Sequence, residues 1–361
     1  MIGRLVAAVV LLAVLATLLF VIGPDDDAPA PLVTGTVDAT AAFVPGGPAT
    51  CLPCHEQVVA EWRDSMHAAA FTDPQVRAPD QADDFRKTEC LPCHAPRPLF
   101  EHGIEPGARV LARVERRADG VDCLACHGLP GGGVAAVRAG LDGPCRPSLA
   151  EALGTHLACA ACHDQHDTHK EWLASPAAAA GRDCADCHMP RVNRGGAEAG
   201  APRAGRSHRF PGGRDVDFAA AGFRVETHLQ PNADAPEQLV VTLVNEFAGH
   251  NLPTDSRNRA LDLVVTLLDA RGRPLPPPPG ETREAWERDG TARMRFRNPY
   301  RSSGAPSTQL PAGESAVLTV DIPPAAVRAQ VDVLYKLQPF LRDEDSHWRR
   351  RSEVTWTGTP P

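Results

Sequence analysis

Ten of the eleven cysteines fall into five copies of one pentapeptide: CLPCH at 51–55, CLPCH at 90–94, CLACH at 123–127, CAACH at 159–163 and CADCH at 184–188. Cys51 and Cys54, Cys90 and Cys93, Cys123 and Cys126, Cys159 and Cys162, and Cys184 and Cys187 are thus spaced as Cys-x-x-Cys. Each pair is followed at once by a histidine: His55, His94, His127, His163 and His188. Disulfides across such a gap close loops too small to restrict the unfolded chain, and they leave the histidines unexplained. Zinc ribbons take two cysteine pairs per metal, and five pairs is an odd number. A thioredoxin-type redox pair normally occurs once, without the histidine. Cys-x-x-Cys-His is the attachment motif of c-type haem, and that chemistry uses every residue. The thiols become thioethers to the haem vinyl groups, and the imidazole lies under the iron as proximal ligand. The cofactor expected is haem c, five copies, covalently held.

Each iron offers a sixth position, and nine histidines remain to fill it. The stretch HEQVVAEWRDSMHAAAF (55–71) has neither Pro nor Gly and reads as one helix. His55 and His67 are then roughly 18 Å apart along the axis, so His67 must serve a neighbouring haem. In CHDQHDTHKEW (162–172) the spacing predicts His163, His166 and His169 on one side of a helix. His166 and His156 are candidates for an iron other than that of His163, ahead of His169 and His102. Beyond the motifs, His208 in GRSHRFPGG and His250 in NEFAGHNLPT sit in loops whose glycines let the backbone approach a haem. The distal candidates are therefore His67, His208, His250, His166 and His156.

The elements around these residues divide the chain. Residues 5–22 are apolar but for Thr17, preceded by Arg4 and followed by Asp25, Asp26 and Asp27. That run is long enough to span a bilayer, positive end inside, so residues 1–23 read as a transmembrane anchor or uncleaved signal. The expected location is the periplasmic side of a bacterial inner membrane; signal cleavage near Ala28 and Ala30 is the alternative. Residues 24–47, rich in Pro, Gly and acid, read as a linker. Residues 48–214 form a mainly helix-and-loop pentahaem domain. Its proximal histidines are 25 to 39 residues apart, segments too short to bury a macrocycle alone. Haems leaning on one another then supply the core, in keeping with an aromatic content of 5%. From about residue 215 the pattern turns to period-two alternation, with strands expected at 223–229, 239–246, 261–268, 316–322 and 331–337. The PLPPPPG run at 274–280 opens a long excursion. Residues 215–361 read as an antiparallel β-sandwich, making the whole an α+β multidomain chain. Cys145, outside the motifs, is expected to be a buried thiol.

The motifs together resemble the multihaem cytochromes c of the cytochrome c-554 type. The resemblance rests on 51–70, ECLPCHAPRP, DGVDCLACHG, CAACHDQH, CADCHMP and HRFPGG. AGHNLPT at 248–254 looks like the signature of relatives with a C-terminal β-domain. The resemblance implies electron transfer through mostly bis-histidine haems, with His67, His208 and His250 as distal ligands; some relatives leave one iron open.

A net charge of −8 gives no footing for nucleic-acid binding. The function expected is a membrane-tethered periplasmic electron carrier whose partners are redox proteins or a membrane quinol-linked donor. The alternative is a multihaem oxidoreductase acting on small nitrogen or sulfur oxyanions at an open iron. A haem-based sensing module is the third reading.

Overall fold

The computed structural model describes residues 46–76, 90–105, 108–141, 144–194, 203–231, 238–254, 259–276, 291–299 and 304–356. The expected anchor (1–23) and the linker up to residue 45 lie outside the described residues. Among the described residues no helix is long and apolar enough to cross a membrane.

The first half is built from short helices: α1 (Pro48–Cys51), α2 (Glu56–Arg63), α3 (Met66–Ala69), α4 (Leu91–His94), α5 (Cys123–His127), α6 (Leu157–His163), α7 (Thr168–Leu173), α8 (Pro176–Ala179) and α9 (Cys184–His188). None exceeds 8 residues, well below the ~12–15 at which an isolated helix becomes marginally stable in water. They persist through caps and tertiary contacts. Asp122 caps α5 by accepting from the Ala125 amide, and Asp183 with Asp186 forms a capping box on α9. A parallel bridge of β1 (Val134–Ala136) with β2 (Pro147–Leu149) and an antiparallel hairpin of β3 (Arg191–Arg194) with β4 (Arg203–Arg206) complete this half.

Two expected helices are each broken in two. The helix expected over 55–71 is interrupted at Asp64 and Ser65. Ser65 turns extended, accepts from the Ala68 amide and donates to the Trp62 carbonyl at 2.6 Å, so α3 starts afresh. The helix expected to align His163, His166 and His169 ends with α6, and Asp167 adopts a left-handed φ of 71° before α7. At Ser65 a short polar side chain competes with the helical backbone, whereas at Asp167 the backbone itself turns left-handed and no side-chain cap forms.

After α10 (Val216–Ala220) the chain becomes a sandwich. β5 (Arg224–Gln230), β6 (Gln238–Val244) and β9 (Ser315–Asp321) form one antiparallel sheet, in the order β5-β6-β9. β7 (Ala260–Leu268), β8 (Thr291–Phe296), β10 (Arg328–Lys336) and β11 (Trp348–Thr355) form the other, in the order β11-β10-β7-β8. Alternate residues of both sheets, Leu239, Val241 and Leu243 against Leu261, Leu263, Val265 and Val331, close one core. All five expected strands form. The sequence reading missed β8 and β11, whose arginines interrupt the apolar alternation. Those arginines serve the sheet's outer face: Arg293 and Arg295 bind the fully buried Asp262 at 2.7 Å, and Arg351 binds Asp332 at 2.8 Å.

Candidate haem sites

The five Cys-x-x-Cys-His copies each occupy about one helical turn, which puts both cysteines on one face with the histidine beside them. The copies also meet one another. Cys51 hydrogen-bonds Cys123, Cys93 bonds Cys162, and Cys159 bonds Cys184. In the mature protein these sulfurs stand for thioethers. The contacts join the first motif to the third, the second to the fourth, and the fourth to the fifth.

Three pairs of imidazoles from distant parts of the chain are brought to one spacing. His67 and His163 have ring centroids 6.2 Å apart, His127 and His208 6.3 Å, and His188 and His250 6.3 Å. An imidazole nitrogen binds a first-row metal at about 2.0–2.1 Å, and it lies about 1.15 Å from its own ring centre, so two rings sharing one metal sit about 6.3 Å apart. Two rings joined by a direct hydrogen bond come closer. His156 and His169, with nitrogens at 2.9 Å, have centroids at 5.0 Å.

The other ring nitrogen agrees with this spacing. Nδ1 faces a main-chain carbonyl oxygen in His94 (Ala70, 2.6 Å), His127 (Ala135, 2.9 Å), His188 (Pro211, 2.7 Å), His208 (Arg206, 3.0 Å) and His250 (Asn251, 3.0 Å). A carbonyl can only accept, so Nδ1 carries the proton and Nε2 keeps a lone pair for a metal. Burial, reinforced by neighbouring imidazoles, favours the neutral form of three of the opposed rings: His67 is pushed down to about 3, and His188 and His208 to about 4. Elsewhere His166 Nδ1 and His102 Nε2 are buried without a hydrogen bond. Opposed imidazoles, fixed tautomers and orphaned nitrogens fit haem c.

Other side chains hold the pairs in place. His67 lies on α3, and its carbonyl accepts from the Val121 amide at 2.8 Å. This close approach requires Gly120: a Cβ there would lie 2.3 Å from the His67 carbonyl oxygen. Glu61 on α2 accepts from the His208 amide at 2.8 Å and from Arg194 on β3. Burial opposes its charge, but Arg194 and the His208 amide hold its carboxyl below the usual value. The His250 loop leaves the sandwich, pinned by buried Asn245, whose Nδ2 donates to the His250 and Leu310 carbonyls at 2.8 and 2.9 Å. On its far side Glu171 of α7 accepts from Thr254 (2.5 Å), Gln309 (3.0 Å) and the Asn251 amide (3.3 Å). Gly249, at φ 73°, passes close to Ala177 of α8. The sandwich is thereby docked on the motif-bearing half.

The other sequence candidates are placed differently. His156 is joined to His169 rather than opposed to a motif histidine. His166 lies in the turn between α6 and α7, and His102 follows a single 3-10 turn. His228 is exposed on β5, and His347 meets the Arg214 carbonyl at 3.1 Å. Cys145 is only half-buried, not the buried thiol expected. Sequence reasoning missed Gly120, Glu61, Asn245 and Glu171. They act on partners as far as 147 residues away or through a backbone turn, and no local motif marks them.

Fold and site together have the features of a multihaem c-type cytochrome: five haem-attachment motifs and opposed imidazoles that fit covalently bound haem c. More particularly, residues 50–128 match the model of the family described as cytochrome c554 and c-prime. A penta-heme cytochrome c552 from Thermochromatium tepidum has a similar fold, with a TM-score of 0.62 at 20% identity over 85% of this chain and 97% of that one. A structural-genomics target, SoR45, aligns over 40% of this chain and 92% of its own at 10% identity and a TM-score of 0.18. DesR, a beta-glucosidase from Streptomyces venezuelae, aligns over 37% and 15% at 10% identity and a TM-score of 0.16. Shape agreement that low carries no argument. No curated protein sequence matches the chain.

Proposed function

We propose that this is a five-haem electron carrier tethered to the periplasmic face of the inner membrane by residues 5–22. In this reading a haem segment (48–214) is capped by a β-domain (215–361), and electrons arrive from a quinol-linked or protein donor. Bound haem c supplies the one-electron iron couple. The chain's own residues fix where each iron lies and what flanks it. The ten motif cysteines hold the macrocycles, and His55, His94, His127, His163 and His188 are the proximal ligands. His67, His208 and His250 are the distal ligands opposite His163, His127 and His188, and His156 and His166 are candidates for the remaining irons.

The observation that carries this reading is the spacing of three independent imidazole pairs at 6.2–6.3 Å. Contacts among motif sulfurs, and the packing of His67 near His163, His188 and His208, leave no motif isolated. Electron paramagnetic resonance of the oxidised protein, with carbon monoxide added to the reduced form, tests it. At least three low-spin irons that ignore carbon monoxide are expected. A mostly high-spin spectrum, with turnover of nitrite or hydroxylamine, would favour the oxidoreductase reading.

A further inference from the structure

His156 differs from the imidazoles whose Nδ1 faces a carbonyl oxygen. Its Nδ1 lies 2.9 Å from Nε2 of His169 on α7. The two rings lie edge to edge, 20° from coplanar with centroids 5.0 Å apart, and Trp172 packs on both, at 4.7 and 5.7 Å. His169 is only 5% exposed. Trp172 is fixed in turn by donating Nε1 to the Arg182 carbonyl at 3.1 Å. A histidine of ordinary solvent-facing or core type needs none of this. The corner orients one ring and leaves one of its nitrogens, Nε2, for another partner.

We propose that His169 is a positioning residue for an iron ligand, His156, holding it through Nδ1 so that Nε2 is presented to a haem iron. The inference rests on the reading of His156 as a distal ligand. The second motif packs beside α6: Cys93 lies 3.6 Å from Gln165 and bonds Cys162, and Leu157 and Cys162 pack on the apolar cluster that includes Leu99 and Phe100 just after that motif. That makes the iron under His94 the candidate recipient. The partner's chemistry adds a second effect. An imidazole nitrogen is a far stronger base than an amide carbonyl oxygen, so a ligand donating Nδ1–H to it carries more negative charge at Nε2. Greater donor strength favours the ferric state, and this iron takes a lower potential than it would with a carbonyl partner. His169 therefore sets one step of the potential ladder without touching the metal.

The test uses the haem-loaded full chain and compares wild type with His156→Ala, His169→Leu and His169→Gln, by spectropotentiometric titration and electron paramagnetic resonance. His156→Ala is expected to convert one low-spin iron to high spin. His169→Leu is expected to keep the haem count, raise one midpoint potential and move one set of low-spin g values. His169→Gln, which offers an amide oxygen to the same Nδ1, is expected to give a smaller rise in the same potential. If His156→Ala changes the spin state but both His169 variants keep wild-type potentials and g values, His169 has no such role and the ligand reading survives. If His156→Ala leaves every iron low-spin, the ligand reading fails and this inference with it. Should His169→Leu not accumulate, His169→Gln decides alone, and an unchanged potential overturns the proposal.

Discussion

The sandwich gathers 22 buried apolar side chains in one cluster running from Ala220 to Trp348, whereas the described part of the motif-bearing half gathers eight around Leu99 and Phe100. The sandwich strands reach 9 residues and pair along their whole length. The helices of the other half are one or two turns each. A sandwich of this kind is closed by its own side chains. The motif half has too little apolar side chain to close itself, and its cysteines and histidines mark where a non-protein core is attached. One half is a protein domain in the usual sense, and the other is a scaffold around cofactors.

Abolishing haem attachment should break this comparison most severely. Chain expressed without the attachment machinery is expected to lose protease resistance throughout 46–214 and to keep it in the sandwich, as read by limited proteolysis and peptide mass mapping. Equal protection of both halves would refute the contrast. His250→Ala crosses the boundary: one low-spin iron should turn high-spin and bind carbon monoxide, while His228→Ala on exposed β5 should change nothing. Within the sandwich, Leu263→Ala removes a fully buried side chain and should cost about 2–5 kcal/mol in denaturant unfolding, with the haem spectrum unchanged. Ser65→Ala removes the cap of α3 and should cost about 1 kcal/mol, seen as earlier melting of the His67 segment.

The smallest effect concerns the joint between the halves. Burial raises the carboxyl of Glu171 above its usual 4.5, against the pull of its hydrogen bonds from Thr254 and Gln309. A raised acid binds its proton more tightly in the folded state. Its contribution is therefore full below about 4.5 and is lost as pH rises through the folded value. Docking of the sandwich, followed by protease protection of the His250 loop, should weaken over that rise. Glu171→Gln should flatten the dependence.

How far the sequence carried depended on the range of the interaction. The motifs are local: five residues specify their own chemistry, so both haem sites and proximal histidines are legible from spelling alone. Strands β5, β6, β7, β9 and β10 announce themselves by alternation, because one face of each meets the core. β8 and β11 do not. Arg293, Arg295, Arg349 and Arg351 sit where alternation would place ordinary polar residues or apolar ones, and their value lies in Asp262 and Asp332 on neighbouring strands. The helix breaks at Ser65 and Asp167 do not show in helical spacing, because one depends on a serine capturing a backbone amide and the other on a left-handed backbone turn. His67 is a candidate from its expected helix and His208 and His250 from their loop composition, with the resemblance pointing to all three. Their partners His163, His127 and His188 became assignable only when the fold set them 6.2–6.3 Å apart. The pairing of His156 with His169 is invisible in sequence, since the expected continuous helix would have put His169 in line with His163 instead.

Covalent haem at every Cys-x-x-Cys-His copy is measured directly by intact-mass spectrometry of the mature protein under denaturing conditions. The mass should equal the polypeptide plus five haems, and replacing both cysteines of any one motif with serine should remove one haem's mass. A mature chain that carries fewer than five, or that sheds its haem on denaturation, would contradict it.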